Sequence, residues 1–251
     1  MLKTGLKNLF VGALIAASGS VCAAEITVSA ASSLTNAFKD IAANFEAAHP
    51  EHSVLLNFAG SGALLQQMAK GAPVDVFASA DQETMNKAQA QGLLNDASRQ
   101  DFVRNTLVVI TPNNSPLELK QLTDLQQDAL QRLAVSNPDS VPVGRYSKQA
   151  LQAHDLWDAL AAKMINTQNV RQSLDYVARD EVDAGFVYAT DAAIMADKVK
   201  VQFTVPLDTV VSYPIAVTTA GRAKELSQQF IDYIFSEESQ AVLTTYGFSQ
   251  P

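Results

Sequence analysis

Cysteine is nearly missing from this sequence: 251 residues hold one, Cys22. A lone cysteine excludes an internal disulfide, so the chain must stand on its packed core, which a chain of this length can do. Histidine is scarce too. His49, His52 and His154 sit on polar stretches at no metal-ligating spacing, which speaks against a metal centre and reads all three as solvated surface residues. Charge is thin at 18% and leans acidic, 18 Lys and Arg against 26 Asp and Glu, a balance unsuited to nucleic acid or an anionic membrane surface. Patterns that activate a nucleophile are absent as well. There is no Gly-x-Ser-x-Gly elbow, and no glycine turn carries the lysine of a P-loop. No repeat and no low-complexity tract stands out.

What is present begins with a leader. Lys3 and Lys7 precede the apolar run "LFVGALIAASG", which ends in the small residues "VCAAE". This reads as a signal peptide over residues 1–24, cut after Ala23 or Ala24, and places the mature protein in the periplasm. The run is too short to span a bilayer. Cys22 leaves with the leader, and a lipid anchor on it would want a small residue where Val21 stands. Removing 24 of 251 residues leaves about 227, with 16 basic and 26 acidic residues and a net charge of −10.

The mature chain opens with the strand pattern "EITVSAA", a turn at Ser32 and Ser33, and then Leu34, Ala37, Phe38, Ile41, Ala42 and Phe45 at the spacing of one buried helix face. The unit recurs. "HSVLLNFAGSG" runs into a helix closed by Gly71 and Pro73, and "VDVFASADQETMNKAQAQG" is a short strand and a helix stopped by Gly92. Further strands are expected at "TLVVITP", "RLAVSNP", "AGFVYAT" and "VSYPIAVTT", and helices at "SKQALQAHDLWDAL", "VRQSLDYVARD" and "AKELSQQFIDYIFS". A last helix is expected from the cap Ser236 to the stop Gly247. Alternating strands and helices predict a mostly parallel, doubly wound α/β architecture, in one large sheet or two smaller ones.

In such folds ligands sit where strand ends meet helix N-termini, whose free N–H groups and partial positive charge suit an anion. Ser33 and Ser61 stand at two such junctions. Each serine, taken alone, reads as a helix cap; together, with Gly60 and Gly62 clearing bulk around Ser61, they also read as parts of an anion site. Asp75, Asp81 and Asp191 lie beside strands and read as caps and structural hydrogen-bond partners, not as an acid–base pair.

The segments "AASSLTNAFKDIAANFE", "FAGSGALLQQMAKGAPVDVFASADQETMNKA", "NTLVVITP", "LAVSNPDSVPVGRYSKQAL", "NVRQSL", "GFVYATDA", "YPIAV" and "YGF" resemble, in register over essentially the whole mature chain, the periplasmic molybdate-binding proteins of bacterial ABC importers. "GAPVDVFASAD" is specific to that family and its near relatives. The resemblance implies a type II periplasmic binding protein fold: two doubly wound α/β lobes joined by crossing strands, with one tetrahedral oxyanion in the cleft. It places lobe I at 25–104 and 213–251 and lobe II at 105–212, with crossings near Asn105 and Tyr213.

Carried over residue by residue, the resemblance assigns the ligand to the Ser33 and Ser61 hydroxyls, the backbone N–H groups of Val143 and Val170, and Tyr188. Read by side chain alone, Val143 and Val170 would be core or loop residues and Tyr188 a core aromatic. Ser33 is then expected both to cap its helix and to turn toward the ligand. Arg145 departs from the pattern, standing where a relative carries an aliphatic residue; it either faces solvent or reaches the cleft rim. The resemblance further implies a monomer that carries molybdate and tungstate to a membrane permease, using no cofactor, no direct metal ligand and no nucleic acid. A receptor for another oxyanion such as sulfate is the alternative within the class. A periplasmic hydrolase is the alternative outside it, and it lacks a nucleophile–base pair.

Overall fold

The computed structural model describes residues 24–251, so the expected signal peptide lies outside the described residues except for Ala24, which opens the first strand. From there the chain runs through β1 (Ala24–Ala31), a 3-10 turn at Ser32–Leu34, α1 (Thr35–Ala48), β2 (His52–Ala59), α2 (Ser61–Ala69), β3 (Val76–Ala78), α3 (Gln82–Ala90) and β4 (Gln100–Asn105). It continues through β5 (Leu107–Pro112), β6 (Leu133–Ser136), α4 (Pro142–Gln152), β7 (Met164–Thr167), α5 (Val170–Ala178), β8 (Ala184–Tyr188), α6 (Ala189–Ile194) and β9 (Val199–Thr204). It ends with β10 (Val211–Val217), α7 (Lys224–Ile234) and α8 (Glu237–Thr245).

Among the described residues, ten strands form two five-stranded sheets, in the orders β2-β1-β3-β10-β4 and β7-β6-β8-β5-β9. The orders are equivalent, and each sheet with its flanking helices makes one lobe. The expectation of mostly parallel sheets needs correcting, because both are mixed: β10 runs against β3 and β4, and β5 runs against β8 and β9. These are the strands entered on crossing from the other lobe, so the chain arrives from the far side and must run backwards. One crossing falls between Asn105 and Leu107, the other between Thr204 and Val211.

β1 holds its place in the first sheet because Ile26, Val28 and Ala30 are buried between flanking layers. Helix α1 buries the face read from its spacing, and the Phe45 ring meets Phe230 of α7 edge-on at 5.3 Å. Gly71, Gly92 and Gly247 all have positive φ, as residues that end helices in the left-handed region should. One helix differs in placement from its expectation over 147–160. α4 starts at Pro142, whose ring suits the first helical position, and is over by Gln152, with Asp155 at a φ of 57°. In β10, Pro214 has no N–H for the ladder, and the register against β4 shifts between Tyr213 and Pro214. That bulge sits next to the buried Tyr213 ring, which packs edge-on against Phe102, Tyr188 and Phe248.

Candidate functional site

Except for the reversed β5 and β10, the strands of both sheets point their C-terminal ends toward the cleft between the lobes, and the turns that follow them build one small cavity there. Its volume is about 10 Å³. Ser33, Ser61, Val143, Val170 and Tyr188 all line it, with Ala31, Ser32, Ala59, Gly60, Ala80, Val141 and Pro142 completing the wall. Among the described residues, no charged side chain lines this cavity.

Three of the helix starts around the cavity lack a side-chain cap, although the Gly62 N–H of α2 is taken by the Ser140 carbonyl. Neither the Ser32–Leu34 turn and α1, nor α2, nor α4 has a side-chain cap, so the first N–H groups of each have no partner of that kind. Asn169 caps α5 through the N–H of Gln172, two residues past Val170. The expectation that Ser33 and Ser61 act as caps is therefore corrected. Ser33 lies inside the 3-10 turn with its Oγ 3.0 Å from the Tyr213 hydroxyl, and Ser61 is the first residue of α2 with its Oγ accepting from the Ala80 N–H at 3.1 Å. Tyr188 is 1% exposed, and its hydroxyl has no partner within the protein. Burial, first of all, holds its phenol well above the ordinary range, so the proton stays on and can be donated.

Gly60 and Gly62 clear space, but for the opposite lobe. A Cβ on Gly62 would stand 2.7 Å from the Ser140 carbonyl oxygen, and the Gly62 N–H donates to that same oxygen at 2.9 Å. A Cβ on Gly60 would meet the Gln168 carbonyl oxygen at 3.1 Å.

Arg145 reaches the cleft rim and crosses it. From α4 its guanidinium takes Asp81 at 2.7 Å and the Thr84 hydroxyl at 2.6 Å in the other lobe, while holding the Pro138 carbonyl of its own. Its side chain is 11% exposed. Arg171, one residue past Val170, forms a second bridge: it pairs with Asp191 at 2.5 Å and donates to Asn36 Oδ1 and the Ser33 carbonyl across the cleft. Burial raises the Asp191 carboxyl to about 6 against the lowering pull of Arg171. Sequence reasoning gave Arg171 no role, and no local signal could have, since its cross-cleft partners are more than a hundred residues away.

The three aspartates have the expected structural roles. Asp75 accepts from the Thr27 and Arg222 N–H groups, Asp81 caps α3 through the Thr84 N–H, and Asp191 holds Arg171. The histidines are less solvated than expected: His49 and His52 are half-buried, with His49 packed on the Phe45 ring, and only His154 is exposed. None of them lines the cavity.

Residues 26–249 match the family model described as bacterial extracellular solute-binding protein. The chain is 39% identical to the molybdate-binding protein ModA of Escherichia coli K12, covering 96% of this chain and 97% of that relative. It is 33% identical to ModA of Haemophilus influenzae, covering 90% of each. The solved periplasmic molybdate-binding protein of Azotobacter vinelandii superposes with a TM-score of 0.80 at 24% identity, over 90% of this chain and 99% of that one, a likeness of fold. With a family model matched from Ile26 to Ser249 and ModA relatives spanning nearly its full length, the chain belongs to the bacterial extracellular solute-binding proteins as a relative of ModA.

Proposed function

We propose that this protein captures molybdate, and tungstate with it, in the periplasm and delivers it to the membrane permease of an ABC importer. Two lobes, 25–104 with 213–251 and 105–212, close over the ion as a monomer. The Ser33, Ser61 and Tyr188 hydroxyls and the Val143 and Val170 N–H groups replace its hydration shell. Such neutral, preorganised donors need no counter-charge, and surface carboxylates are screened over about 8 Å, so an acidic protein can bind a dianion this way. This reading needs no cofactor and no catalysed reaction; among the described residues lining the cavity there is no histidine or carboxylate that could serve the hydroxyls as a base.

The observation that carries the reading is the fully buried Tyr188 hydroxyl, unpartnered at a cavity walled by hydroxyls and uncapped helix starts. Molybdate and tungstate match in charge and size. Sulfate is smaller and cannot reach donors on two lobes at once, and monohydrogen phosphate brings a proton that wants an acceptor. The test is a melting experiment with all four anions. Molybdate at about a thousand times its Kd should add about 4 kcal/mol, on the order of ten degrees. No shift with molybdate or tungstate would remove the proposal, and an equal shift with sulfate would make the protein a sulfate receptor.

A further inference from the structure

Behind Ser33 runs a chain of hydrogen bonds through Tyr213 to Asn105. Asn105 stands at the first crossing between lobes, where its side chain meets three partners. One atom of its amide lies 2.8 Å from the Thr106 N–H, which can only donate, so that atom is the carbonyl oxygen. The other atom is therefore the NH2, and its two hydrogens face Thr190 Oγ1 at 2.9 Å and the Tyr213 hydroxyl at 3.1 Å. Tyr213 thus receives a hydrogen bond from Asn105. It is fully buried, and its remaining oxygen neighbour is Ser33 Oγ at 3.0 Å, so its single proton goes there. Ser33 accepts from behind, and its own proton is left to point forward into the cavity.

Ser61 has the same arrangement with other parts. The Ala80 N–H, an obligate donor, occupies Ser61 Oγ at 3.1 Å, so the Ser61 proton is likewise free for the cavity. One serine is set by a backbone amide, the other by a relay of two side chains that begins at the hinge. Tyr188, with no partner of its own, is left to follow the ligand.

Resting on the oxyanion reading above, we infer that Tyr213, held by Asn105, is a positioning residue that fixes Ser33 as a donor and so biases the site toward fully ionised tetrahedral anions and against protonated ones. An anion carrying its own O–H needs an acceptor in the wall, and Ser33 is denied that role while Tyr213 donates to it.

Tyr213→Phe keeps the ring and its edge-on neighbours and removes the hydroxyl, which is the donor to Ser33 and the acceptor of one Asn105 hydrogen. Ser33 can then rotate and accept. Affinities for molybdate and for inorganic phosphate are to be measured by titration calorimetry at one mildly alkaline pH. The expected result is a molybdate affinity reduced by no more than about tenfold and a molybdate-to-phosphate ratio narrowed by about tenfold or more. Asn105→Ala, which frees Tyr213 to accept from Ser33, should narrow the ratio in the same direction. In a Ser33→Ala background, Tyr213→Phe should no longer change it. A merely structural role for Tyr213 would weaken both anions alike and leave the ratio where it was; that result overturns the relay. Wild-type protein that binds neither molybdate nor tungstate overturns the oxyanion reading itself, and the relay with it.

Discussion

The two lobes share one strand order, and each presents the turns after its parallel strands to the cleft, yet they bring different chemistry to it. The first lobe offers hydroxyls, Ser33 and Ser61, each set from behind by a hydrogen bond. The second offers the helix starts at Val143 and Val170 and the Tyr188 hydroxyl, and it also sends Arg145 and Arg171 across to grip the first. Under the proposed function, equal topologies would divide the binding task in this way. Side-chain donors can be deleted singly, whereas backbone donors answer only to changes in how their helix is seated.

The largest expected effects test that seating. In Gly144→Ala the new Cβ would stand 2.0 Å from the Ser136 carbonyl oxygen within one lobe, where no movement between lobes can relieve it. Denaturation without ligand should show a loss of about 3 kcal/mol. Gly62→Ala meets Ser140 across the cleft instead, so the lobes can relieve it by standing apart. Ligand-free stability should stay near wild type while molybdate affinity falls about a hundredfold. A Gly62→Ala protein that binds like wild type would break the comparison.

The next effect concerns the hydroxyls. Ser33→Ala and Ser61→Ala each remove a hydrogen bond to a charged group, about 1.5 to 3 kcal/mol, or roughly ten- to a hundredfold in Kd. Wild-type affinity in both would put the whole task on the backbone donors and the Tyr188 hydroxyl. Smaller again are the bridges. Arg145→Met should speed molybdate release about tenfold in a stopped-flow chase and leave capture nearly unchanged, because the Asp81 pair forms only when the lobes meet. Arg171→Met should also lower ligand-free stability, since it strands the fully buried Asp191 in its own lobe. Equal behaviour of the two variants would erase the distinction between them.

The smallest effect is a pH slope. The Asp191 carboxyl, raised by burial to about 6 from an ordinary 3.8, holds its proton more tightly folded than unfolded. The folded state therefore binds more protons between about pH 4 and 6, and stability from this group falls as pH rises through that window. Melting curves of Asp191→Asn should lack this part of the slope.

Strand and helix order was legible where burial imposes a pattern. The apolar runs of β1, β3, β5, β6, β8 and β10 and the helix faces of α1, α5 and α7 were each marked by their own residues. The strands β4, β7 and β9 were not, and all three are sheet edges whose residues are half in solvent, as in "QDFVRN" and "VKVQFT". An edge strand need not carry a pattern strong enough to read, although β2, also an edge, did through its apolar run. α6 is six residues long and equally faint.

For the site, the sequence by itself determined the residue types: serines at turns between strands and helices, glycines beside one of them, and motifs that resemble a family of oxyanion carriers. Each is local, written in adjacent residues. Which way the serine protons point, what Gly62 makes room for and where Arg145 goes were decided by tertiary structure alone. Ser33 is set by a tyrosine 180 positions away, and Arg145 by an aspartate 64 positions away in the other lobe. Hydrogen-bond direction depends on every partner a group meets, and here those partners come from distant parts of the chain, within the first lobe for Ser33 and Tyr213 and across the cleft for Arg145 and Asp81.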